Sequence, residues 1–354
     1  MTATINQDTL DALLGQAVGD MAAAASTVLV HVGDRLGIYR ALNEGGPQTA
    51  AELAARTGLH ERLLREWLSN QAAGGYVTYT ADGERFSLSP EQAFLLADPD
   101  SPVYLGGMAE IIVAIGADAE KVADGIRTGR GVHWHEHSEG LFSGTERFFR
   151  PGYAANLVPS WIPALDGVQA RLEAGIRVGD IGCGHGASTI VMAQAFPRST
   201  FVGSDYHAPS IDAARKAASE AGVADRVSFE VARSTEFEGG PYDLLCVFDA
   251  LHDMGDPAGA ARHLREQLAP GGTLLLVEPN AGDTLSDNLN PVGRLFYAAS
   301  TAVCTSNAVA QGGTDVLGAQ AGEARLRAVF EGTGWSSFRR ATETPFNAVF
   351  EVRA

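Results

Sequence analysis

The sequence predicts an α/β chain in which a mainly helical N-terminal part precedes a doubly wound, mostly parallel sheet. Three observations carry that expectation. Apolar runs at 176–181, 200–204, 227–231, 242–248 and 272–278 alternate with helical patterns, as strands and crossover helices do. The first hundred residues read helix, helix, helix, β-hairpin. The first strand of the second part runs straight into a glycine-rich turn, Gly182-Cys183-Gly184-His185-Gly186, with a helix over Ala187–Ala195 behind it. A chain of 354 residues suggests roughly two domains.

In chain order, Val28, Leu29, Val32, Leu36 and Tyr39 recur at helical spacing and form one apolar stripe. The alanine-rich run Met21–Val32, bounded by Asp20, His31 and Asp34, is too short to span a bilayer and reads as a buried helix. Thr49-Ala50-Ala51-Glu52 is a capping box opening a short helix that ends near Thr57-Gly58. A third helix, His60–Ala73, carries Leu63, Leu64, Trp67 and Leu68 and stops at Gly74-Gly75. Tyr76–Tyr79, a turn at Asp82-Gly83 and Arg85–Leu88 then make a hairpin. That order is the order of a winged helix. Its charge opposes DNA: residues 1–100 hold six arginines, no lysine and thirteen acids, a balance of −7. The apolar stripe of residues 21–44 is expected to bury against a second subunit, making the module a dimerisation domain.

Residues 101–170 read as a helical linker and lid. Val103–Ala117 is helical in pattern, Gly129-Arg130-Gly131 and Pro151-Gly152 mark breaks, and Trp134, Phe142, Phe148, Phe149, Tyr153 and Trp161 supply aromatic surface. His133, His135 and His137 could meet a metal only on a strand, whose alternate residues share a face. Nothing fixes strand geometry there, and no metal is expected. The aromatic lining favours a planar or apolar substrate over a sugar.

The chemistry concentrates in residues 171–354. Asp180 lies near the end of the first strand, and Gly182, Gly184 and Gly186 let backbone and ligand approach closely, with Cys183 between them. Asp205 closes the next strand, about twenty residues on, where a carboxylate accepts from ribose hydroxyls. The loop is therefore a nucleoside site. Its G-x-G-x-G spacing departs from the dinucleotide G-x-G-x-x-G, and an acid two positions ahead would repel a pyrophosphate while suiting a sulfonium or ammonium group. Tyr206 is placed to cover adenine. Ser234 and Thr235, after the third strand, are placed for polar contacts to it, with Phe237 as an apolar edge. Phe248 and Asp249 end the fourth strand at the cofactor, and His252 follows as a candidate general base. Glu278, ending the fifth strand, is the first candidate to orient the ring and Glu323 the second. Two further strands, Phe338–Thr342 and Asn347–Val352, close the sheet.

The bulk numbers exclude several classes. A net charge of −17 argues against a nucleic-acid backbone as partner. The three cysteines, Cys183, Cys246 and Cys304, are odd in number and widely spaced, which fits a reducing cytoplasm rather than a disulfide framework. No basic stretch followed by an apolar core marks a secretory signal at the N-terminus.

Asp180, Gly182, Gly184 and Gly186 match (D/E)-x-G-x-G-x-G, and the chain here resembles motif I of the class I S-adenosylmethionine-dependent methyltransferases. The resemblance implies a Rossmann-like domain with an antiparallel C-terminal strand, S-adenosyl-L-methionine as cofactor and S-adenosyl-L-homocysteine as product. Leu251-His252-Asp253, followed by Asp256, resembles the L-H-D-W-x-D segment of small-molecule O-methyltransferases, in which the histidine is the base; Met254 replaces the tryptophan. Family members often place an acid against the adenine amino group, where this chain has Ser234 and Thr235. With its N-terminal module, the whole chain is similar to bacterial O-methyltransferases, more narrowly to an actinobacterial group often labelled transcriptional regulators. That likeness implies a homodimer acting on a small molecule, with the substrate pocket between linker and catalytic domain. The alternative is a cofactor-sensing regulator that binds DNA through the winged helix; a third is a relative that uses the bound sulfonium as an electrostatic aid in a rearrangement.

Overall fold

The computed structural model describes residues 5–354. Its contacts divide the chain into two compact units: residues 1–113 with 143–151, and residues 114–142 with 152–354. The expected linker of residues 101–170 is thus shared between the units.

The first unit opens with a 29-residue helix, α1 (Gln7–Arg35), capped by the Asn6 side chain on the Thr9 amide at 3.0 Å. Helices α2 (Ile38–Gly45), α3 (Ala50–Thr57) and α4 (Glu61–Ala73) follow, then the antiparallel pair β1 (Thr78–Thr80) and β2 (Arg85–Ser87), α5 (Pro90–Leu96) and most of α6 (Gly106–Ala117). The capping box at Thr49 and Glu52 forms as expected. Leu42, Leu53 and Leu68 are fully buried with Ile38, Tyr39 and Trp67, each such side chain contributing about 1.5–3 kcal/mol.

Two expectations fail on α1. The run Met21–Val32 is not a buried helix: it is the middle of a longer one, in which only Val30 and Gly33 are buried. The apolar stripe does not stay on one helix either. Gly37, at φ +67°, ends α1 and turns the chain, so Tyr39 enters the core while Val28 and Leu36 remain exposed. By length and composition α1 is long and apolar enough to cross a membrane.

The second unit holds α7 (Ala119–Thr128), the ends of α8 (Glu139–Asn156), α9 (Val168–Ala174) and a seven-stranded sheet. In chain order its elements are β3 (Arg177–Ile181), α10 (Ala187–Ala195), β4 (Thr200–Asp205), α11 (Ala208–Glu220), β5 (Val227–Val231), β6 (Tyr242–Phe248), α12 (Pro257–Gln267), β7 (Leu268–Pro279), α13 (Pro291–Ala299), α14 (Thr305–Ala310), α15 (Gly322–Glu331), β8 (Ser337–Glu343) and β9 (Asn347–Arg353). The strand order is β5-β4-β3-β6-β7-β9-β8; the first five are parallel, and β9 runs antiparallel to both of its neighbours, β7 and β8. Central strands read as continuous apolar runs because both faces are covered: Leu274 to Val277 of β7 are all fully buried. Chain order reverses between β3 and β6, so their carboxyl ends open on the crevice where ligands of such sheets bind.

Candidate functional site

The turn after β3 is pinned before any ligand arrives. The amides of Gly182 and Cys183 donate to the Ser204 carbonyl at 2.7 and 3.1 Å, and the Gly184 amide donates to Asp205 Oδ2 at 3.0 Å. Gly186 sits at φ +77°, and a Cβ there would lie 2.6 Å from the Phe229 ring, so only glycine fits. At Gly184 a Cβ would meet nothing within 4 Å: that part of the turn faces open space. Cys183 is buried and burial pushes its thiol up, so it lines the turn as a neutral group.

Two carboxylates flank this turn. Asp180 is 1% exposed; its Oδ2 accepts from Ser188 and Thr189 hydroxyls, both at 2.6 Å, while Oδ1 is buried without a partner. Burial pushes its pKa up to about 6, against the pull of those hydroxyls. A buried carboxylate oxygen with no donor is costly, and a cationic ligand removes that cost. Asp205 holds Gly184 with one oxygen and the His207 amide, at 2.8 Å, with the other, leaving further lone pairs on both. Burial raises its pKa as well.

The turn after β6 carries the candidate base. The Glu278 carboxylate reaches it from the end of β7 with both oxygens: Oε2 meets His252 Nδ1 at 2.6 Å, and Oε1 accepts the Leu251 amide at 3.0 Å. Nδ1 is the donor to that carboxylate, which leaves Nε2 as the proton-accepting nitrogen. Burial pulls the imidazolium pKa down, but the Glu278 carboxylate outweighs it, and the net shift is well upward. The Gly318 amide holds the His252 carbonyl at 2.9 Å. Glu323, the second candidate orienter, is engaged elsewhere: it pairs with Arg327 at 2.7 Å and Arg340 at 2.8 Å.

Phe248 is buried, its ring centroid 5.4 Å from Tyr153 and 6.5 Å from Trp161. The Trp161 indole N–H is buried without a partner. Asp249 adopts φ +49°, a strained conformation for a non-glycine residue that costs of order 1–3 kcal/mol. The Asn347 amide, at 3.0 and 3.1 Å, holds its carboxylate. Ser234 and Thr235 are half-buried on the loop after β5. Phe237 is not at the adenine edge: it is fully buried in the core, its ring 4.7 Å from His263 and 6.2 Å from Tyr242. Tyr206 is half-buried, and its hydroxyl donates to Asn307 Oδ1 at 3.2 Å.

The three histidines of the lid segment do not lie on a strand. Trp134–Glu136 form a tight helical turn: His133 stacks on His135 at 5.1 Å, while His137 is buried against Asp118 at 3.2 Å. Ser188, Thr189, Asn307, Gly318 and Asn347 escaped sequence reasoning. The first two follow the glycine turn at helical spacing and could have been found as the hydroxyl partners of a buried acid; the other three come from distant chain and left no local signal.

The family described as a methyltransferase domain matches residues 172–334, and the Rv2258c-like winged helix-turn-helix domain matches residues 24–98. A mitomycin biosynthesis 6-O-methyltransferase of Streptomyces lavendulae is 26% identical over 277 residues, covering 75% of this chain and 76% of that protein. The structure of mitomycin 7-O-methyltransferase superposes with a TM-score of 0.71 at 22% identity, over 99% of this chain and 100% of that one. Human N-acetylserotonin methyltransferase in complex with its cofactor gives a TM-score of 0.67 at 18% identity, over 100% and 99%. At those identities the two structures establish a shared fold.

Proposed function

We infer that this chain, an S-adenosylmethionine-dependent methyltransferase with an N-terminal winged-helix domain, methylates an oxygen of a small molecule with His252 as general base. The observation that carries the reading is the arrangement around the crevice: the orphaned Asp180 Oδ1 and the open face at Gly184 on one side, the Glu278-held imidazole on the other. The residues fit the cofactor. Asp180 suits a cationic group, Asp205 has lone pairs free for ribose hydroxyls, and Tyr206, Ser234 and Thr235, half-buried on the turns after β4 and β5, are the residues we assign to the adenine. When bound, the cofactor supplies an electrophilic methyl group on a sulfonium.

This chain's own residues then do two things. The glycine turn and the two carboxylates position the donor, and positioning accounts for most of the acceleration. His252 Nε2 takes the proton of the acceptor hydroxyl while Glu278 holds the ring and stabilises the imidazolium, worth roughly 10²–10⁴-fold. Phe248 and Asp249 form the wall beside them. The name of the Streptomyces relative supports oxygen as the methylated atom, and the aromatic side chains Trp134, Phe142, Tyr153 and Trp161 favour a planar or apolar acceptor. A second copy of the chain covers the apolar residues of α1, and a reducing cytoplasm suits the free thiols of Cys183 and Cys246.

The winged-helix match favours one other reading, a DNA-binding sensor. Against it, Arg62 pairs with Glu66 and Arg65 with Glu61 on α4, the helix that would enter the groove. The deciding experiment is calorimetric titration with S-adenosylhomocysteine, with NAD as control. Micromolar binding abolished by Asp205→Ala is expected; preference for NAD refutes the reading.

A further inference from the structure

We propose that Asn307 is a positioning residue that couples the nucleoside edge of the site to the base turn and to the segment Val132–His137. The proposal rests on the cofactor reading above. Asn307 is 1% exposed on α14, and its amide is bonded to three separate stretches of chain. Oδ1 accepts the Trp134 backbone N–H at 3.0 Å and the Tyr206 hydroxyl at 3.2 Å; Nδ2 donates to the Asp253 carbonyl at 3.2 Å. Tyr206 follows the ribose carboxylate Asp205, and Asp253 follows His252, so one side chain ties residues adjacent to both functional groups.

The surroundings show that this junction is built. One helical turn on, Gln311 also donates to the Asp253 carbonyl, at 3.3 Å, and accepts the Gly255 amide at 3.2 Å, so α14 fixes the base turn from one face. The Val132 amide donates to the Ser306 carbonyl at 3.3 Å. Gly131 comes so close to α14 that a Cβ would lie 2.1 Å from the Ser306 oxygen. Beyond it, Asp118 accepts from Lys121, at 2.7 Å, and from the amide and hydroxyl of Ser138, both at 2.8 Å, anchoring the far end of the segment. The Trp134 ring also packs at a tilt on Phe142, at 5.3 Å, and Phe142 likewise on His207, at 4.7 Å, two residues past Asp205. The 132–137 segment therefore touches the nucleoside edge by two routes, and the polar one passes through Asn307. A ligand that orders Tyr206 orients the Asn307 amide, and the planar amide fixes where Asp253 is held.

The test uses S-adenosylhomocysteine as probe, with calorimetry and hydrogen exchange on the full chain. In the wild type, binding slows exchange in peptides spanning Gly182–Gly186, Val132–His137 and Leu251–Gly255. In Asn307→Ala, affinity falls about tenfold, and protection of the last two peptides is lost while that of the glycine turn persists. Tyr206→Phe weakens binding by acting through the same contact, so the double variant is no weaker than Asn307→Ala alone. A general structural role would not produce that non-additivity or that selective loss. Losses that multiply, or unchanged protection at Val132–His137 and Leu251–Gly255, overturn the proposal. Should Asn307→Ala fail to fold, Tyr206→Phe alone must reduce the protection of Val132–His137; unaltered protection there overturns it equally. A wild type that binds no S-adenosylhomocysteine refutes the cofactor reading and this inference with it, whereas a binding wild type and a fully protected Asn307→Ala refute this inference alone.

Discussion

The two units leave different things unsatisfied. In the first, the exposed groups that ask for a partner are apolar: Leu10, Leu13, Leu14, Val18 and Met21 recur three or four residues apart along α1 and are each at least 43% exposed. In the second, exposed apolar side chains are scattered over Ile126, Val231, Leu285, Leu289 and Phe346. Among the described residues, its buried polar atoms without a partner, Asp180 Oδ1, Glu230 Oε1, His137 Nε2 and the Trp161 indole N–H, outnumber the His31 Nδ1 of the first. An apolar face is completed by another protein surface, and a buried carboxylate by a small cation. The contrast is one of distribution: the first unit gathers its exposed apolar groups along one helix, and the second gathers most of the buried polar atoms that lack a partner.

The sharpest way to break the comparison is at the base turn. His252→Ala should lower turnover by about 10²–10⁴-fold and leave S-adenosylhomocysteine affinity within about threefold; equal loss of both would strip His252 of its role. Glu278→Gln tests the partner. Since Glu278 helps hold the His252 pKa above its ordinary value, the proton that must leave before catalysis leaves at lower pH in the variant. The rising limb of the pH–rate profile should therefore move to lower pH while the plateau falls. The stability consequence has the same origin: a raised histidine pKa stabilises fully below about pH 6.5 and fades as pH climbs through the raised value. Melting should show Glu278→Gln costing more at pH 6 than at pH 9.

A smaller effect is expected at Asp180. Its raised pKa, about 6, means that the ligand-free fold binds a proton the unfolded chain releases near 3.8, so stability falls as pH rises between those values. Binding of a cation wants the ionised form, and each pH unit below about 6 should weaken calorimetric affinity by up to about tenfold. Asp180→Asn should bind weakly and lose that part of the pH dependence, leaving the part due to Asp205. An affinity flat between pH 5 and 8 in the wild type would remove Asp180 from the cation site.

On the first unit, Leu14→Glu with Val18→Glu should halve the mass seen in sedimentation and leave S-adenosylhomocysteine affinity within about threefold. A wild type already monomeric would give the α1 face to some other partner. The smallest effect belongs to α4. Arg62→Ala and Arg65→Ala remove exposed i,i+4 ion pairs worth about 0.3–0.5 kcal/mol each, and should change neither melting nor gel mobility with upstream DNA. A salt-dependent shift lost in these variants would restore the regulator reading.

Much of the second unit was legible because its signals are local. The glycine turn, the two strand-end acids and the continuous apolar strands each follow from a short stretch of backbone geometry, and Glu278 could be matched to His252 because parallel strands end on one rim. Phe237 was misplaced because a loop's apolar residue gives no sign of whether it turns to ligand or core. Glu323 was offered as an orienter because its pairing with Arg340, on a strand that returns seventeen residues later, is invisible until β8 lies against α15.

The sequence by itself determined the winged order of helices and hairpin, the α/β alternation, the positions of Asp180 and Asp205 near strand ends, and that of His252 on the turn after the fourth strand, because helical and strand periodicities fix which residues terminate each element. Only the tertiary structure decided that the chain's own packing leaves most of α1 exposed, that Asp180 keeps one oxygen without a donor, and that Asn307 joins three segments. Those properties depend on which atoms from distant chain come within about 3 Å, and no local pattern encodes that distance.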